Sequence, residues 1–179
     1  DGGAHNRGTR IAPAAVLVEF RGNPSSPVVA MPRFLRLSTG NPRAAATQPV
    51  TTGAPQWSCS GFPDRRTRLY PLCPGGQQVL RIYDFPSCWD GRRTDSPDHR
   101  SHAAFPAPDG QCPATTVPVP QLHLEVAYSV PPGRSFALDT FPQQHRNPIT
   151  DHGDFVNVMP DPLMAEVVAC LDGGVHCGG

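Results

Sequence analysis

The sequence predicts a mainly β protein: a single-domain antiparallel sandwich or distorted barrel with long Pro/Gly loops and one short C-terminal helix. Three observations point there. Of 179 residues, 23 are Pro and 17 are Gly, which disfavours long helices and suits short strands joined by structured turns. Residues 122–130 alternate cleanly, with Leu122, Leu124, Val126, Tyr128 and Val130 on one face and His123, Glu125, Ala127 and Ser129 on the other. One segment alone repeats at helical spacing, through Leu163, Met164, Val167, Val168 and Leu171.

The elements follow in order. Residues 1–10 are polar and Gly-rich and read as a loose arm. Residues 15–20 (AVLVEF) form a strand with a turn behind it at Gly22-Asn23-Pro24. Residues 31–37 interleave Phe34, Leu35 and Leu37 with Arg33 and Arg36, giving a second strand or a short irregular element. Residues 38–56 lack periodicity and form a long loop. Arg65, Arg66 and Arg68 mark a solvated hairpin face. Residues 79–85 (VLRIYDF) are β in composition, and residues 136–141 make a further short strand. In the helix, Asp161 suits the N-cap, Pro162 the first turn, and Gly173-Gly174 the stop. The expected unit is one domain over 1–179.

Charge and cysteine narrow the function classes. Fifteen Lys+Arg balance fifteen Asp+Glu, and all fifteen basic residues are Arg. A neutral chain with pI near 7.2 has no global field to hold nucleic acid or an acidic membrane. No apolar run approaches the ~20 residues of a membrane helix. Six Cys without C-x-x-C or zinc spacing read as three disulfides made in an oxidising compartment, so the expected location is secreted and extracellular. Six cysteines allow about 15 connectivities. The nearest-neighbour set, Cys59–Cys73, Cys88–Cys112 and Cys170–Cys177, is the expectation.

Three segments gather acids beside imidazoles. The first runs from Phe85 through Trp89-Asp90-Gly91 to Asp98-His99-Arg100-Ser101-His102. His99 and His102 would share one side of a single turn, as two metal ligands require. The competing reading makes Asp90 and Asp98 turn formers and leaves the histidines bonded to their loops. The second is His123 and Glu125, two apart on a strand and so about 7 Å apart on one face. The third is Asp151-His152-Gly153-Asp154-Phe155-Val156-Asn157, which offers a base, an acid and an amide. Candidate catalytic groups are therefore Asp98, His102, His152 and Asp154. Candidate substrate contacts are Asp90, Trp89, Asn157, His123 and Glu125. Candidate ligands for a divalent metal ion are His99, His102 and His123. Trp57 and Trp89 either stack on sugars or pack in the core beside half-cystines.

These residues also carry a resemblance. F-P-S-C-W-D-G at 85–91, D-H-R-S-H at 98–102, Cys112-Pro113, V-P-Q-L at 119–122 and G-D-F-V-N at 153–157, followed by Cys170, resemble in order the secreted family catalogued as domain of unknown function nineteen-ninety-six. The likeness covers about residues 30–171 and is taken for the C-terminal part of that domain. It implies half-cystine roles for Cys59, Cys73, Cys88, Cys112 and Cys170, and places recurrent polar positions at Asp90, Asp98, His99, Ser101, His102, Asp154 and Asn157. It supplies no mechanism. Members carry an upstream H-x-H motif, which this chain matches only at a solitary His5. The expectation is an incomplete metal site or a processed fragment of a longer precursor.

Three functions remain open at this stage. One is a hydrolase or lyase acting on extracellular polysaccharide or cell-wall material, which requires at least three of His99, His102, His123, Glu125, His152 and Asp154 to converge. The second is a carbohydrate- or surface-binding module. The third is a self-assembling structural component. Nucleic acid and membrane are not expected partners.

Overall fold

The computed structural model describes residues 8–45, 53–131 and 136–174. It is mainly β, as expected from the Pro/Gly content. The strands are β1 (Ala15–Arg21), β2 (Arg36–Gly40), β3 (Gln56–Cys59), β4 (Phe62–Thr67), β5 (Val79–Asp84), β6 (Cys88–Trp89), β7 (Ala103–Ala104), β8 (Val117–Pro118), β9 (Gln121–Tyr128) and β10 (His152–Val156). A single helix, α1, spans Asp161–Asp172. The main sheet is ordered β1-β9-β5-β3-β4, and two smaller sheets pair β10 with β2 and β7-β6-β8. Pairing of β3 with β4 and β5, and of β6 with β7 and β8, is antiparallel.

The chain forms two compact units. The first comprises Asp1–Val18, Gly40–Tyr83 and Leu124–Gly153; the second comprises Glu19–Thr39, Asp84–His123 and Asp154–Gly179. In the first, Leu80, Ile82 and Ala127 make one apolar cluster. Trp57, 2% exposed, packs against Tyr70 with ring centroids 5.1 Å apart. Trp57 is thus a core residue, closed to any sugar. Cys59 is bonded to Cys73, which ties β3 to the loop after β4. In the second unit Met31, Leu35, Leu37, Phe85, Val119, Leu122 and Met164 are buried, and Cys88 is bonded to Cys112. Both pairings match the nearest-neighbour expectation. Cys170 is also disulfide-bonded, while Cys177 lies outside the described residues, as do His5 and His176.

Several local expectations are corrected. Of the two readings of residues 31–37, the irregular element holds for 31–35, where a turn closes at Leu35 N–H to Pro32 O (3.2 Å), and the strand, β2, begins only at Arg36. Residues 136–141 carry no strand and lead instead into a single 3-10 turn at Pro142–Gln144. Asp161 is the first helical residue and not the cap; Pro160 precedes it in extended conformation, without a side-chain capping bond. The alternation of β9 is broken. Both Leu122 and His123 are buried, then Leu124 and Glu125 half-buried, then Val126 and Ala127 buried. Cover on both faces, which period-two reasoning cannot see, turns His123 from a solvent-facing group into a core one.

Candidate functional site

In the second unit, the segment from Trp89 to His102 is a set of turns held by its own acids. Asp90 accepts Arg92 N–H (2.9 Å), Arg93 N–H (2.9 Å) and Arg93 Nε–H (2.7 Å). Partial burial works to raise its pKa, but the bonds from Arg93 and Arg92 outweigh it and lower the value to about 2. Trp89 Nε1 donates to Arg93 O at 2.7 Å, so the indole closes the same turn. Asp98 accepts Ser101 N–H (2.9 Å), Ser96 Oγ–H (2.7 Å) and Arg100 N–H (3.1 Å), and those bonds hold its carboxyl well below the usual range, with Ser101 contributing most. Asp95 is likewise lowered, first by its bond to His99 Nδ1 at 2.7 Å.

His102 is 1% exposed. Its Nδ1 lies 2.8 Å from Ser96 Oγ, and its Nε2 lies 2.6 Å from the Arg36 carbonyl oxygen on β2. The carbonyl can only accept, so Nε2 donates to it. Ser96 has one hydroxyl hydrogen and gives it to ionised Asp98. Both ring nitrogens are engaged. His102 therefore fastens the 95–102 loop to β2 and turns no lone pair toward solvent.

His123, fully buried, bonds Asp84 Oδ1 through Nδ1 at 2.6 Å; Arg21 lies 3.5 Å from the same oxygen, and its Nε donates to Glu19 at 2.7 Å. This line of polar contacts joins β9, β5 and β1. Asp154 is exposed and accepts Ser38 Oγ–H at 2.6 Å across the β10–β2 pair. Asn157, fully buried, donates to Met31 O (2.9 Å) and Pro32 O (3.0 Å), while its backbone bonds Phe34 N–H (2.7 Å) and Leu35 O (2.9 Å). It is a clamp on the 31–35 turn and is closed to a ligand.

The remaining candidates belong to the first unit. His152 is exposed, with Nδ1 3.2 Å from Thr150 O, and Glu125 is half-buried on β9. The metal reading is corrected here. Among the described residues, no group of three or more His, Cys, Asp or Glu is arranged to hold an ion. His99 turns to Asp95, His102 to Ser96 and Arg36, and His123 to Asp84. The donor set does not fit a divalent metal.

Two features went unnoticed in the sequence. Arg81, on β5, donates through Nε to Asp151 Oδ2 (3.1 Å) and through NH2 to Asp151 Oδ1, and its guanidinium lies 5.6, 5.4 and 5.9 Å from the ring centroids of Trp57, Tyr83 and Tyr128. Asp151, 2% exposed, also accepts Tyr83 O–H at 2.9 Å. Burial and the Asp151 charge push the Tyr83 phenol well above its ordinary value. An Arg in the middle of V-L-R-I-Y was the available signal, since a charge in so apolar a strand needs an acid. The second is Phe34, whose backbone has φ 66° and whose ring is 57% exposed. No sequence pattern announces a left-handed Phe.

What emerges is a disulfide-stapled, antiparallel β protein whose acids and imidazoles brace its loops. The chain belongs to the family described as Domain of unknown function (DUF1996), whose model matches residues 10–158. That span starts earlier and ends earlier than the motifs alone indicated. No curated protein and no solved structure shows a significant match.

The turn carboxylates set an acid limit on stability. Their folded pKa values lie below the ordinary value of about 4, so their contribution is complete above that pH and is lost as pH falls toward about 2. The melting temperature of the wild type should therefore drop between those limits. Asp90→Asn should melt lower at neutral pH and show a flatter profile; parallel profiles would refute the assignment.

Proposed function

We propose that the chain is a secreted module that binds extracellular polysaccharide without cleaving it, and that its His/Asp segment is scaffold. The carrying observation is the engagement of His102, one of the two candidate bases. It is 1% exposed, and both of its ring nitrogens are bonded to partners within its own unit. A general base must reach its proton within hydrogen-bond distance of a bound substrate, and a buried ring with both nitrogens used does not. The two disulfides with known partners support the oxidising compartment. Among the described residues no helix is long and apolar enough to cross a membrane, which is compatible with it.

The test incubates the purified protein with a panel of neutral and acidic polysaccharides, following co-sedimentation and release of reducing or unsaturated ends. Retention on at least one polysaccharide with no new ends is the expected result. New ends produced by wild type but not by His102→Asn would return the enzyme reading. Absence of retention on every polysaccharide would end the binding reading.

A further inference from the structure

Arg33 and Phe34 stand at the tip of the 32–35 turn, and both ends of that turn are anchored: Met31 is 1% exposed and Leu35 is 0% exposed. Asn157 holds the turn from four sides, through Met31 O, Pro32 O, Phe34 N–H and Leu35 O. Phe34 sits at the third turn position with φ 66°, where Gly or Asn is usual and a bulky side chain is strained. Its ring is nevertheless 57% exposed. Glycine would remove both the strain and the exposed apolar surface. The fold thus bears two costs to hold one aromatic ring in solvent.

The Arg33 guanidinium lies over that ring, 5.1 Å from its centroid, and among the described residues no carboxylate neutralises it. Arg65 over Phe62 and Arg43 over Phe141 repeat the pairing in the other unit, but neither Phe has a left-handed backbone. The 33–34 tip is the one that is built rather than incidental. Strain is the observation that separates them.

We propose that Arg33 and Phe34 form the contact point for an acidic polysaccharide, a chain of uronate residues. This rests on the polysaccharide-binding reading and names the ligand class within it. A pyranose offers an apolar C–H face that packs on an aromatic ring, and a uronate adds a carboxylate beside that face. The planar guanidinium takes such a carboxylate through two parallel N–H bonds. The tip projects from its turn, which suits one residue of a polymer and not a small molecule that needs enclosure. Rigid presentation limits the entropy lost on contact.

The experiment measures retention and affinity on polygalacturonate, its fully methyl-esterified form and a neutral β-glucan. Wild type should prefer the free acid to the ester by on the order of tenfold. Phe34→Gly should melt at or above wild type, because glycine tolerates the backbone, yet lose affinity by on the order of tenfold. Arg33→Gln should bind acid and ester alike. Wild-type affinity in both variants overturns the proposal, as does wild type favouring the neutral glucan, and both results leave the broader reading standing. Wild type binding none of the three, nor any other polysaccharide, removes both.

Discussion

Gly40→Ala should destabilise the protein by ~3 kcal/mol or more, and the same change at Gly91 by only ~1–2 kcal/mol. The two glycines have nearly the same backbone, φ +73° and +72°. An alanine at either site therefore suffers similar left-handed strain. They differ in surroundings. A Cβ at Gly40 would overlap the Asp151 carbonyl oxygen and come within 2.8 Å of both His152 Cα and Pro55 Cδ, whereas nothing lies within 4 Å at Gly91. The Gly40 obstacles are backbone and a proline ring, which cannot rotate aside. Urea denaturation of the pair isolates the steric part, and equal losses would show that close approach at the end of β2 is not what requires glycine.

The second large effect is expected at Arg81. Replacing it with Leu leaves the Asp151 carboxylate 2% exposed without its cation, and breaking one side of a buried pair costs about 3–5 kcal/mol. Removing both charges in Arg81→Leu/Asp151→Leu should recover most of that loss. Replacing a whole buried pair by apolar groups is often close to neutral. Recovery stays incomplete because Tyr83 O–H and His152 N–H also donate to Asp151. A loss below ~1 kcal/mol in the single variant would place the pair among exposed ion pairs, whose contribution is that small.

Composition made the β class, two disulfide pairings and the C-terminal helix legible, because each rests on local rules. Cys59–Cys73 and Cys88–Cys112 close short stretches, with separations of 14 and 24 residues, and the helix reads from its spacing and its Gly stop. The site was legible as residues and not as roles. The hydrogen bonds of Asp90 and Asp98 match the turn-forming alternative, since their partners lie two or three positions ahead. The distant partners of His102 and His123 were not legible, because Arg36 and Asp84 lie 66 and 39 residues away. Burial of both faces of β9 comes from packing that alternation does not encode. Phe34 was invisible for a different reason: its backbone is imposed by Asn157, 123 positions later.

The most direct test of the central claim, that the His/Asp segment braces while the 33–34 tip binds, sets Phe34→Gly beside His102→Asn. Each is assayed for retention on polygalacturonate below its own melting temperature. Phe34→Gly should melt no lower than wild type and be poorly retained; His102→Asn should melt lower and be retained as fully as wild type. A retained Phe34→Gly, or a folded His102→Asn that no longer binds, would contradict it.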